Sequence, residues 1–123
     1  MHTVLLLDDN ATFLKTMTLQ LEYEGFKVLS FNACLPAMEF VNETPDAFSV
    51  VIADLHLPDA SGLQLLEAVR EVNQTPFFIM TGQTDFDVAQ VTERGGQGVL
   101  FKPINRTELL EKLQAATAPE AKA

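Results

Sequence analysis

Cysteine, basic side chains and long apolar runs are scarce in this sequence, and each scarcity excludes a class of function. Cys34 is the single cysteine, so an internal disulfide is excluded. Lysine and arginine number 8 against 17 acidic residues, which gives a formal net charge of −9. Because so acidic a chain repels a phosphate backbone, we expect no direct nucleic-acid binding by these residues.

Apolar runs in the sequence are all much shorter than the roughly 20 residues that a helix needs to span a bilayer. The first residues, Met1–Leu7, lack a basic region and lead directly into two aspartates, a pattern unlike that of a signal peptide. We therefore expect a cytoplasmic protein with no membrane contact.

The chain has 123 residues, of which 47% are hydrophobic and 20% charged, enough apolar material for one packed core. No repeat or internal linker divides it. Residues 1–116 are predicted to form one domain. Residues 117–123 are small, polar and proline-containing, and are predicted to be a frayed tail or the start of a linker.

Short apolar runs alternate with amphipathic stretches along the chain. Runs that are apolar without alternation suit strands buried on both faces of a parallel sheet. The five candidate strands are Val4–Leu7, Lys27–Phe31, Val50–Ala53, Phe77–Met80 and Val99–Phe101. The candidate helices are Ala11–Glu24, Leu35–Asn42, Gly62–Val72 with Leu63, Leu66 and Val69 toward the core, Thr84–Glu93, and one that begins after Asn105. Five βα units in sequence predict an α/β fold, a doubly wound (βα)5 sandwich with a five-stranded parallel sheet.

Polar residues capable of chemistry follow four of the five strands. Asp8 and Asp9 follow the first strand, Asp54 the third, Thr81 the fourth and Lys102 the fifth. In doubly wound folds the ligand crevice lies at the carboxyl ends of the strands. We therefore expect three carboxylates, a hydroxyl and an ammonium to converge on one crevice.

Three ionised carboxylates cannot crowd together without compensation, because like charges raise each other's pKa. Mg²⁺ favours carboxylate oxygens plus waters, and its two charges together with that of Lys102 would balance the three acids. Such a site is suited to an incoming phosphoryl group, since phosphoryl transfer depends mostly on positioning and charge stabilisation. A carboxylate can itself be the nucleophile and form an aspartyl phosphate.

With these residues in place, the chain resembles the receiver domains of two-component response regulators over about residues 3–116. The resemblance implies a flavodoxin-like fold and a phosphoacceptor switch. The motifs that carry it are the pair Asp8-Asp9, the segment Asp54–Gly62 with the pattern D-x-x-[ML]-P-x-x-x-G, Thr81, and the pair Lys102-Pro103.

The resemblance also implies a role for each site residue. Asp54 would be the phosphoacceptor, with Thr81 and Lys102 engaging the phosphoryl oxygens, and the Lys102–Pro103 peptide bond would be cis. The Mg²⁺ ligands would be Asp9, Asp54 and the backbone carbonyl of His56. Asp8 would orient a ligand or a water.

Two neutral residues, His56 and Gln83, stand two positions after Asp54 and Thr81. The family varies at these positions, where side chains tune the lifetime of the phosphoryl group. We interpret the His56 side chain as a surface or tuning residue; the phosphorylated group is expected elsewhere.

One departure from the family is Val99, three residues before the lysine, where many receivers carry an aromatic ring. Phe101 is expected on the same side of the strand and could substitute only in part.

The family implies a phosphodonor that is a sensor histidine kinase or a histidine phosphotransfer protein. It also implies a downstream protein target or effector domain, and it allows a homodimer. Such a domain assists its own Mg²⁺-dependent phosphorylation and dephosphorylation but is not an enzyme in the ordinary sense.

Two other functions remain open from the residues. A haloacid-dehalogenase-type phosphatase shares the aspartate, lysine and paired acids, but carries its nucleophile at the first strand in a D-x-D motif, which Asp54-Leu55-His56 lacks. A phosphorylation-independent interaction module is favoured by Val99 alone.

Overall fold

The computed structural model describes residues 2–117; Met1 and most of the predicted tail, residues 118–123, lie outside them. Five strands and five helices alternate within this range, and each predicted element is present. The strands are β1 (Thr3–Leu7), β2 (Lys27–Phe31), β3 (Val50–Asp54), β4 (Phe77–Thr81) and β5 (Gly98–Phe101). The helices are α1 (Ala11–Tyr23), α2 (Cys34–Glu43), α3 (Gly62–Val72), α4 (Ala89–Thr92) and α5 (Arg106–Thr117).

All strand pairs are parallel, and the strands lie in the order β2-β1-β3-β4-β5. The chain winds outward from β1 in one direction and then from β3 in the other. The point of reversal therefore lies between β1 and β3, where such sheets form their ligand crevice. The predicted doubly wound (βα)5 sandwich is confirmed.

Two apolar clusters cover the two faces of the sheet, because alternate residues of each buried strand point to opposite sides. Leu5, Val51 and Ile79 pack with the buried residues of α2, α3 and α4. On the other face, Leu6 and Ile52 pack with the buried residues of α1 and α5. Every residue of β3 and β4 is buried, which explains why these two strands are continuous apolar runs in the sequence.

The predicted helix Thr84–Glu93 is wrong in length, since α4 has a single turn of four residues. Its start is delayed by Asp87, whose side-chain oxygen accepts the Ala89 N–H at 3.0 Å. Val91 is the only buried residue of α4, whereas Val88 is 39% exposed. One apolar anchor is too little to stabilise a longer helix, because short helices depend on packing.

Helix α3 matches its predicted bounds and its predicted cap. Ser61 accepts the Gln64 N–H at 3.2 Å, and the Gln64 side chain accepts the Ser61 N–H at 2.8 Å. Leu66 and Val69 are fully buried and Leu63 packs against the same cluster, as predicted, and the apolar face also includes Leu65, which is fully buried. The last helix, α5, continues to Thr117, whose hydroxyl donates to the Leu113 carbonyl at 2.7 Å.

Among residues 2–117, none of the helices combines the length and the apolar character that crossing a membrane requires.

Candidate functional site

Three carboxylates meet at the carboxyl ends of β1 and β3. Asp8, Asp9 and Asp54 each offer an oxygen within 4.8 Å of the others. Asp8 is fully buried and Asp54 is 9% exposed, whereas Asp9 is exposed to solvent. The sequence prediction that these three carboxylates converge is confirmed.

Lys102 connects the two buried carboxylates. Its Nζ donates to Asp8 at 2.8 Å and to Asp54 at 3.2 Å. The other oxygen of Asp8 accepts the Asn10 N–H at 2.8 Å, so both oxygens of this fully buried acid have partners. Because a buried polar group without a partner is costly, these two hydrogen bonds stabilise the buried side chain of Asp8.

The Lys102 ammonium is stabilised in its charged form. Burial alone would lower the pKa of this amine, but the hydrogen bond to Asp8 and the charges of Asp54 and Asp8 outweigh burial and raise the pKa. The ammonium also lies 4.7 Å from the centre of the Phe13 ring, close enough for a cation–π interaction. Lys102 is therefore a fixed positive charge at the centre of the crevice.

The carboxyl of Asp54 is in a less favourable position when ionised. Burial raises its pKa, Lys102 opposes that increase, and the charge of Asp8 adds to it. The backbone N–H of His56 also interacts with this carboxylate and lowers the pKa in part. Burial is the largest of these effects, and the balance leaves the pKa of Asp54 above its ordinary value.

The donor set of the crevice fits Mg²⁺. Its three acids and one ammonium leave a charge of about minus two, and all its ligand atoms are hard oxygens, which Mg²⁺ prefers. Asp9 is exposed on the solvent side, where a metal ion could keep several of its waters.

Thr81 ends β4 at the same edge of the sheet and is 1% exposed. Its backbone carbonyl accepts the Lys102 N–H at 2.8 Å, so the strand ladder fixes the two residues relative to each other. Its hydroxyl oxygen accepts the Gln83 N–H at 3.0 Å. Within the described residues this hydroxyl makes no hydrogen bond to the acids or to the lysine side chain.

Residues 55–61 form a closed loop between Asp54 and α3. The Gly62 N–H donates to the Leu55 carbonyl at 2.9 Å, and His56 pairs with Ser61 in an antiparallel bridge. A Cβ atom at Gly62 would lie 2.5 Å from the Asp54 carbonyl oxygen, so this position requires glycine. The glycine at the end of the motif Asp54–Gly62 thus has a steric reason here.

The side chain of His56 lies outside the acidic cluster and is exposed. Its Nε2 lies 3.2 Å from Oε1 of Gln83, so this pair connects the loop after β3 with the loop after β4. The sequence identified both positions but not their contact, because 27 residues separate them and neither is part of a local pattern.

Val99 and Phe101 share one face of β5, as predicted. Val99 is 8% exposed and belongs to the cluster that contains α3 and α4, whereas Phe101 is 36% exposed. The register places Phe101 opposite Thr81 and Val99 opposite Ile79. The Lys102–Pro103 peptide bond is cis, which confirms the expectation from the resemblance.

A groove of about 520 Å³ lies beside the crevice, between α1 and the segment after β5. Lys102 forms part of its wall together with Phe13 and Gln20. Next to it the outer face of α1 presents two large exposed side chains, Leu19 at 57% and Tyr23 at 83%. The sequence did not predict this surface, because these residues also fit an ordinary solvent-facing helix side.

Comparisons with known proteins agree with this geometry. The model of the response regulator receiver domain matches residues 4–114. The CpxR homolog of Haemophilus influenzae, a transcriptional regulatory protein, is 31% identical over 116 residues, which are 94% of this chain and 50% of that protein. The transcriptional regulatory protein KdpE of Mycobacterium tuberculosis is 32% identical over 117 residues, 94% of this chain and 51% of that protein. The chain therefore spans about half the length of these curated relatives.

Solved structures show the same architecture. A receiver domain protein from Clostridium thermocellum superposes with a TM-score of 0.90 at 25% identity, covering 95% of this chain and 94% of the other. The chemotaxis protein CheY4 of Vibrio cholerae gives 0.84 at 28% identity, covering 94% and 98%. A family model that matches almost the whole described chain, together with the crevice at β1, β3 and β5, shows that the chain belongs to the receiver domains of two-component response regulators.

Proposed function

We propose that Asp54 accepts a phosphoryl group from a phosphohistidine of a sensor histidine kinase or a histidine phosphotransfer protein. A carboxylate oxygen of Asp54 forms the new bond to phosphorus while the bond between phosphorus and the donor imidazole nitrogen breaks. The electron pair of that bond stays on the imidazole nitrogen, which then takes up a proton. The product is an aspartyl phosphate.

The position of Lys102 carries this proposal. Its ammonium already contacts Asp54 and is held there by the buried Asp8, so a positive charge is in place before phosphoryl oxygens arrive. Thr81 would donate its hydroxyl to one of these oxygens, since it lies at the same edge and its backbone is tied to Lys102. The exposed Asp9 leaves one side of the crevice open for the donor.

We infer that Mg²⁺ is the cofactor of this site. When bound, the ion would supply positive charge for the phosphoryl oxygens. Asp9, Asp54 and the backbone carbonyl of His56 would hold it, and Asp8 would orient a ligand or a water. Asp8 is suited to that supporting role because both of its oxygens already have hydrogen-bond partners.

The output is proposed to be protein–protein contact. Phosphorylation would bias the loops after β3 and β4 and the surface formed by α4, β5 and α5. The curated relatives are about twice as long and are transcriptional regulators, so an effector domain following this one is consistent with them, as is a homodimer.

With a net charge of −9, residues 1–123 should not themselves bind DNA. The expected cytoplasmic location fits a chain with one buried cysteine.

The phosphodonor is proposed to dock on the outer face of α1. Leu19 and Tyr23 are exposed there, and the adjoining groove reaches Lys102, so a protein seated on this face would place its histidine at the crevice. Leu19→Arg and Tyr23→Arg should slow phosphotransfer from a protein donor about tenfold or more and leave phosphorylation by a small acyl phosphate unchanged. Val72→Arg, at an exposed apolar residue that ends α3, is the control. Equal transfer to all three variants would exclude this docking face.

Phosphoryl incorporation from a small acyl phosphate with Mg²⁺ tests the function itself. The wild-type protein and Asp46→Asn, an exposed acid before β3, should gain the mass of one phosphoryl group, and Asp54→Asn should gain none. Incorporation into Asp54→Asn at the wild-type rate would refute the proposal.

No observation favours a dehalogenase-type phosphatase, because the candidate nucleophile ends β3 and the acid pair follows β1.

A further inference from the structure

The first turn of α2 has no capping side chain of its own. Its N-cap residue is Ala33, which offers no hydrogen-bonding group, and its third residue is Pro36, which has no N–H. The first three residues therefore present two N–H groups that need an acceptor from outside the helix, those of Cys34 and Leu35. Asp59 accepts both, one on each carboxylate oxygen, at 2.7 Å and 2.7 Å.

Asp59 belongs to the loop 55–61, so the cap of α2 comes from the loop that follows the phosphoacceptor. The same turn of α2 contacts this loop a second time, because Sγ of Cys34 lies 3.7 Å from the Ser61 carbonyl oxygen as its donor. The loop is thus closed at its base by Gly62 and Leu55, and held at its outer end by α2. Charge-assisted hydrogen bonds of this kind are shorter and stronger than neutral ones.

The loop matters for the site through the backbone of His56. His56 lies two residues after Asp54 and pairs with Ser61 within the loop, and its carbonyl is the proposed third metal ligand. His56 lies three residues before Asp59 on the same closed loop. We expect a change at Asp59 to reach the site through the position of this backbone, because Asp59 is not part of the acidic cluster.

We propose that Asp59 is a positioning residue of the phosphoacceptor site: by tying the loop 55–61 to the N-terminus of α2, it holds the His56 backbone against Asp54 and the metal. This inference rests on the proposed function of Asp54. It assigns α2, which supplies no residue to the crevice, a part in setting the affinity for Mg²⁺.

Two single variants and one double variant separate positioning from helix stability. Asp59→Ala removes both acceptors, and Asp59→Asn keeps one oxygen. Ala33→Asp combined with Asp59→Ala gives α2 a cap from its own chain, which can accept the Leu35 N–H, but leaves the loop untied. For each protein, the dissociation constant for Mg²⁺ is measured from amide shifts, together with hydrogen exchange of the loop amides without metal and the denaturation midpoint.

Asp59→Ala should bind Mg²⁺ about tenfold more weakly than the wild type, as expected for loss of a group that orients a ligand, and Asp59→Asn should fall between them. Loop amides should exchange faster in both. The double variant should recover the denaturation midpoint but not the affinity for Mg²⁺. If Asp59→Ala does not fold, Asp59→Asn and the double variant carry the test.

Wild-type affinity for Mg²⁺ in Asp59→Ala, or full recovery of affinity in the double variant, would overturn the positioning role and leave the function of Asp54 intact. The wild-type protein serves as the separate test of that function. Failure of the wild type to bind Mg²⁺ or to accept a phosphoryl group would overturn the proposed function, and the positioning role with it.

Discussion

The Lys102 ammonium donates a 2.8 Å hydrogen bond to Asp8, a fully buried acid 94 positions earlier in the chain. The same ammonium contacts Asp54, so the carboxyl ends of β1, β3 and β5 are joined by one positive charge. These three residues form one ion triad at the edge of the sheet.

Lys102→Ala should lower the free energy of unfolding by about 3 kcal/mol, because it leaves the buried Asp8 without its charge partner. Lys27→Ala, at an exposed lysine that begins β2, should change it by less than about 0.5 kcal/mol. Urea denaturation of both variants without metal measures the difference. Equal stabilities would show that the bond between Lys102 and Asp8 contributes nothing to the fold.

Asp54→Asn should be more stable than the wild type at pH 7 without metal. The pKa of Asp54 is raised in the fold, so the native state binds this proton more tightly than the unfolded chain, and stability falls as pH rises through the raised pKa. The asparagine side chain of the variant does not ionise, so this loss of stability with rising pH should be absent. Titration of the unfolding free energy between pH 4 and pH 8 should therefore show a wild-type decline that Asp54→Asn lacks.

Mg²⁺ should reduce the stability advantage of Asp54→Asn over the wild type. At ten times its dissociation constant, a ligand that binds only the native state adds about 1.4 kcal/mol of stability to the wild type. Asp54→Asn should gain less, because it lacks one proposed ligand. An equal gain in both proteins would place the metal away from Asp54.

The fold could be predicted from the sequence because its short apolar runs mark buried strands. The acidic cluster could be predicted because Asp8, Asp9 and Asp54 directly follow two of these runs. The cap of α2 by Asp59 could not be predicted, because the acceptor lies 25 and 24 residues from its two donors and an acid after proline also fits an ordinary loop. The predicted length of α4 is too great because Thr84–Asp87 has the pattern of a helix start. In the structure the helix begins at Ala89, directly after the turn in which the Asp87 side chain accepts the Ala89 N–H.

The contact between His56 and Gln83 should restrict access of water to the aspartyl phosphate, because it joins the two loops that border the crevice. His56→Ala and Gln83→Ala should each shorten the phosphoryl lifetime. The double variant should shorten the lifetime by less than the two single effects combined. The coupling energy should be about 0.5 kcal/mol, which corresponds to roughly a twofold difference in the rate of decay. Decay of the phosphorylated form after donor removal measures all four proteins. Strict additivity would show that the two side chains act separately.

The output should depend on displacement of α4, with weak coupling at Val99. Helix α4 has one buried residue, and Gly95 at its end has a φ of 88°, which leaves this turn to glycine. Val99 is short and stiff about χ1, so it cannot swing into space that Thr81 vacates. Structures with and without a beryllofluoride phosphoryl mimic should differ mainly in the loops after β3 and β4 and in α4.

The opposite result, a fixed α4 with the change concentrated at Val99 and Phe101, would contradict this account. Val99→Tyr offers a second comparison. If the ring restores an aromatic coupling, phosphorylation should shift more amides of β5 in this variant than in the native sequence.

The central claim is that Asp54 itself carries the phosphoryl group, and reductive mapping tests it most directly. The protein is incubated with an acyl phosphate and Mg²⁺, treated with borohydride, which reduces an aspartyl phosphate to homoserine, and digested for mass spectrometry. We expect homoserine at position 54 and at no other acid. Homoserine at Asp8 or Asp9, or an acid-labile phosphoryl group on His56, would contradict it.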